Sequence, residues 1–107
     1  MTDVGDLAVD TAVEAIGDGR YRAFVSPDWE IWGPMGGYVA AIALRAAAAA
    51  SSHPVPVALS CHYLGVARFE PVEIEVVALK EGRAAASHRV QITQDGRPVL
   101  AALVWSV

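Results

Sequence analysis

The sequence contains a single cysteine, Cys61, in 107 residues. No intrachain disulfide can form, so packing alone must hold the fold. Basic residues are also few. Eight lysines and arginines stand against twelve acids, for a net charge of −4, and the basic residues are scattered from Arg20 to Arg97. A nucleic-acid role lacks the basic patch it would need. No apolar run is long enough to span a bilayer; the stretch 39–50 is broken by Arg45 and ends in Ser51, Ser52, His53 and Pro54. The first ten residues are acidic and carry no apolar signal core. These absences point to a soluble, cytoplasmic protein with no membrane and no nucleic-acid partner. The three histidines, His53, His62 and His88, lack metal-ligand spacing. No Gly-rich phosphate loop of the nucleotide-binding kinds is present. No metal and no cofactor are expected.

What the sequence does have is apolar surface. The apolar fraction is 54% and the charged fraction 19%, richer in apolar residues than is usual for a soluble monomer. Much of the excess is alanine. The length fits one domain over residues 1–107. A domain of this size leaves much of its surface exposed, and many gain stability by association.

Residues 7–16 mix apolar and acidic positions, and Gly17-Asp18-Gly19 is a strong turn signal. Strand-like Tyr21, Phe24 and Val25 follow, so a hairpin is expected. Residues 26–37 form a loop dense in breakers that carries Trp29 and Trp32. Residues 38–51 are the clear helix: alanine has the best helix propensity, and Arg45 is the only charge. A helix apolar on nearly every side is normally buried. Residues 57–64 read as a strand. Residues 72–80 read as another, with Val72, Ile74 and Val76 alternating with Glu73 and Glu75. Residues 84–93 form a third, Asp95-Gly96 turns the chain, and residues 99–107 form the last. A hairpin, a buried helix and a meander predict an α+β fold, an antiparallel sheet wrapped around one long central helix. Its outer face would be wet at Glu73 and Glu75.

Four segments, taken in order, carry a family resemblance. Gly33-Pro34-Met35-Gly36-Gly37-Tyr38 leads into Val39-Ala40-Ala41-Ile42-Ala43-Leu44-Arg45. Next come Ala58-Leu59-Ser60-Cys61-His62-Tyr63-Leu64, the valine-rich stretch ending Lys80-Glu81-Gly82-Arg83, and Gln94-Asp95-Gly96-Arg97-Pro98-Val99. The chain resembles, over residues 32–105, the N-terminal hot-dog repeat of type II acyl-CoA thioesterases. The resemblance implies a hot-dog fold and acyl-CoA as substrate. It also implies a homodimer, or pairing with a second hot-dog unit, with sites at the seam. Two departures stand out. Family members usually carry two repeats. Their catalytic aspartate, threonine and glutamine lie in the second repeat, at positions matched here by Ser60, Ala78 and Val104.

Thioester hydrolysis needs a polarised carbonyl, an aimed water and a held acyl chain. Free amides at Gly37 and Tyr38, at the positive end of the helix, are candidates for the first task. Ser60 and His62 lie two apart on a strand and share a face; if that face meets the helix, they can position water. Cys61 points the other way and is read as packing. Trp29, Trp32, Met35 and Tyr38 are candidates to line the acyl chain, and Gly36 is a further substrate-binding candidate. Arg83, with Arg68 and Arg97, is a candidate contact for coenzyme A phosphates. Asp28 and Glu30 are the carboxylates nearest the glycine loop in sequence and are read as solvated. His88, beside Arg89, is read as part of an exposed polar stripe. The first functional reading is a thioesterase or half of one. The alternative is a non-catalytic acyl-CoA-binding or assembly module. A hot-dog dehydratase ranks last, because the loop holds no histidine.

Overall fold

The structure is a computed structural model and describes residues 5–31, 33–34 and 36–107. A short helix α1 (Leu7–Asp10) is followed by β1 (Glu14–Gly17) and β2 (Arg20–Phe24). The long helix α2 (Gly36–Ala50) precedes four strands: β3 (Pro56–Tyr63), β4 (Pro71–Glu81), β5 (Ala86–Gln94) and β6 (Arg97–Ser106). All six strands pair antiparallel in one sheet, in the order β1-β2-β4-β5-β6-β3. This is the expected α+β architecture. One segment differs: residues 7–10 coil into a helical turn. Asp6 caps it by accepting from the Val9 amide, and the Thr11 hydroxyl closes on the Leu7 carbonyl at 2.6 Å.

Alternation decides which face of the sheet meets α2. Val72, Ile74 and Val76 on β4 point inward and are buried, while Glu73 and Glu75 face out. On β5, Val90 and Ile92 point inward, and on β6 Leu100, Ala102 and Val104 do. The larger Leu103 and Trp105 face outward and are exposed. α2 presents Tyr38, Val39, Ile42, Ala43, Ala46 and Ala47 to this core. Its alanines let the sheet backbone come close, and the Arg45 side is open. Arg45 reaches back to the Ala8 carbonyl and the Thr11 hydroxyl, tying α1 to the helix.

The turns follow from their residues. Asp95 and Gly96 both have positive φ, 51° and 75°, the tight hairpin geometry that this pair favours. The β4–β5 connection closes with Gly82 N–H donating to the Ala85 carbonyl at 2.8 Å, so β5 begins two residues later than expected. β3 is the far edge. It pairs with β6 on one side only, and nearly all its side chains are exposed.

Candidate functional site

Because α2 starts at Gly36, the amides of Gly36, Gly37 and Tyr38 precede its first intrahelical hydrogen bonds and sit at the positive end of its dipole. Gly37 is exposed, and a Cβ built on it would meet no heavy atom within 4 Å. The space where its side chain would stand is open. Gly36 is tighter. A Cβ there would lie 3.3 Å from the ring of Tyr63, whose hydroxyl donates to the Gly36 carbonyl at 2.8 Å. Tyr63 therefore forms a wall of the helix start. Desolvation, and then the neighbouring Cys61 thiol, raise its pKa, so it remains a protonated donor at neutral pH.

Tyr38 splits into two roles. Its side chain is buried and faces away from the open glycine. The hydroxyl accepts from the Ser26 amide at 2.8 Å and donates to the Asp10 carbonyl at 2.8 Å. The ring stacks on Trp29 at 5.5 Å, and Trp29 Nε1 donates to Asp10 Oδ2 at 2.9 Å. Burial raises the Tyr38 pKa against the lowering effect of the Ser26 amide. This cluster pins the loop and the N-terminal segment to the first turn of α2.

Ser60 and His62 do share a face, but it is the outer one. Ser60 pairs with Leu103 and His62 with Ala101, both outward-facing residues. With Arg89 they line a shallow outer groove of about 210 Å³. The condition that this face meets the helix is not met, and the structure does not bring Ser60 and His62 to the helix start. The inner face of β3 carries Leu59, Cys61 and Tyr63 instead. Cys61 packs against the core, as expected.

Arg83 is exposed in the β4–β5 turn, at the opposite end of α2. Fifteen helical residues, roughly 20 Å, separate it from Gly36. Arg68 pairs with Glu70 and Asp95, on the side of the sheet near the helix start. Asp28 accepts from the Gly5 amide, and Glu30 bridges to Pro34. Trp32 and Met35, two of the expected acyl-lining residues, lie outside the described residues. His88 differs from expectation: it is on the inner face of β5 and only 1% exposed. Among the described residues, no three of His, Cys, Asp and Glu gather as a metal site, and no helix is long and apolar enough to cross a membrane.

The residue missed at the sequence level is Tyr63. Its parity with Cys61 was readable, but which parity faces α2 was not.

A family model described as the acyl-CoA thioesterase N-terminal domain matches residues 25–107. No curated protein matches the chain. Among solved structures, a Thermobifida fusca protein named as a thioesterase II is similar over 94% of this chain and 38% of its own, at 31% identity and TM-score 0.90. A hot-dog-fold protein of unknown function from Alicyclobacillus acidocaldarius covers the same shares at 28% identity and TM-score 0.83. A thioesterase protein from Streptococcus pneumoniae, solved with coenzyme A, shares the fold at 22% identity and TM-score 0.72, over 88% of this chain and 81% of its own. The chain spans about two-fifths of the length of the first two.

Proposed function

The chain belongs to the acyl-CoA thioesterase N-terminal-domain family, and from that premise we propose that it serves acyl-CoA hydrolysis as one half of a paired hot-dog assembly. In that reaction water adds to the thioester carbonyl, the C–S bond breaks, and the acid and the free thiol of coenzyme A leave. The negative charge that develops on the carbonyl oxygen is what the Gly37 and Tyr38 amides would stabilise. The open space over Gly37 is the observation that carries the reading. Trp32, Met35 and Gly36 would border the acyl chain, and Arg83 would meet a phosphate of a ligand reaching that far end.

The second unit, another copy or a separately supplied one, would supply the group that aims water. Two observations favour pairing. Among the described residues β3 pairs with β6 alone and leaves its other edge free, and its inner-face residues Leu59 and Tyr63 stay exposed. An exposed apolar edge strand is a template for another strand. The cytoplasmic setting expected from the sequence belongs with this reading.

A second reading, a non-catalytic acyl-CoA-binding module, is favoured by the outward placement of Ser60 and His62. Thiol release from a panel of acyl-CoAs separates the two. Turnover lost in Gly37→Val and kept in Ser60→Ala supports the first. Saturable acyl-CoA binding with no turnover, in a chain shown to be paired, supports the second.

A further inference from the structure

At the end of α2 away from Gly37, apart from Arg83, is a second polar locus whose residues the thioesterase reading does not use. His88 projects inward from β5 and is buried, with Nδ1 lacking a hydrogen-bond partner among the described residues. Nε2 lies 3.0 Å from Glu81 Oε2, close enough for charge attraction but off the line of a hydrogen bond, so it too is unsatisfied by geometry. Ser106 is fully buried, and its hydroxyl likewise has no partner among the described residues. His88 pairs with Val104 and Ser106 with Ala86, so the two are diagonal neighbours on one face of adjacent strands. Buried polar atoms left unpaired each cost about 1–3 kcal/mol and call for an explanation.

His88 adjoins a cleft of about 390 Å³ whose walls also include Asp18, Tyr21, Ala49, Ala50 and Ala78. Its electrostatics have one sign. Ala49 and Ala50 end α2, where free carbonyls form the negative end of the helix dipole. Asp18 is exposed on the rim. Glu81, held by the Ser52 amide and the Ser51 and Ser52 hydroxyls, is an anion behind His88. Among the described residues, no lysine or arginine lines the cleft. Acceptors without a matching cation suit a ligand that brings N–H donors and positive charge. Inside the cleft they disfavour a phosphate.

We propose that this cleft is a binding site for a small organic ammonium ion, with Asp18 and the α2 carbonyls holding the charge and the His88 ring bordering it. The site does not depend on the helix-start reading, and failure of thiol release would leave it standing.

The test is an NMR titration of the full chain with butylammonium, butyrate and 1-butanol, following the His88 ring and the Ala49 and Ala50 amides. Butylammonium should shift these signals saturably, and butyrate should not. Asp18→Asn, an exposed change that leaves the fold alone, should weaken binding about two- to fivefold. His88→Asn should weaken it further. Absence of a saturable shift would overturn the proposal. So would butyrate or butanol binding as well as the ammonium, or an Asp18→Asn chain binding unchanged.

Discussion

The Tyr38 hydroxyl satisfies a buried Ser26 amide, and its ring holds Trp29 in place. Tyr38→Phe should therefore lower stability by about 1–3 kcal/mol, read as a lower urea midpoint with an unchanged slope. Tyr63→Phe loses only a half-exposed bond to Gly36 and should cost less than about 1 kcal/mol. Glu81 supplies a pH signature. Hydrogen bonds from Ser52, first its amide and then its hydroxyl, hold its carboxyl at about 2, below the ordinary 4.5. A depressed folded pKa means stability that is present above the unfolded value and lost as pH falls through the folded one. Acid titration should show a stability loss between about pH 4.5 and 2 that Glu81→Gln removes. At this scale the glycines were readable, because turn chemistry is local. The roles of Tyr63, His88, Ser60 and His62 were not. Period-2 alternation sorts residues into two faces, and only the packed helix says which face is inside.

The long helix and the β4–β5–β6 meander were legible because alanine content, alternation and the Asp95-Gly96 turn all act over short range. The helical turn at residues 7–10 was not. Its reason to exist is partly tertiary, through Arg45 reaching the Ala8 carbonyl and Thr11 hydroxyl from a distant element. The β3 edge also could not be seen in advance. Strand order follows from closing the sheet, which puts β3 beside β6 rather than beside a chain neighbour. Leu59 projects from that edge and is 38% exposed. Leu59→Lys should leave the single unit folded while blocking association, since a charge on an edge strand opposes strand addition. Sedimentation should then show a monomer with unchanged far-ultraviolet circular dichroism. A variant that still associates like the parent would place the contact elsewhere.

Among the described residues the chain carries one sheet and one long helix, α2, with an exposed glycine in its first turn. It spans about two-fifths of the first relatives it matches. On the proposed reading the Gly37 and Tyr38 amides would polarise a carbonyl, whereas Ser60 and His62 are on the outer face of the sheet. On that reading catalysis is a property of a pair. Thiol release from acyl-CoA, measured per chain over a range of chain concentrations, tests this most directly. Specific activity should rise in step with the associated fraction, and Leu59→Lys should stay inactive throughout. Activity that is constant per chain in a monomer, or absent where the chain is fully paired, would contradict it.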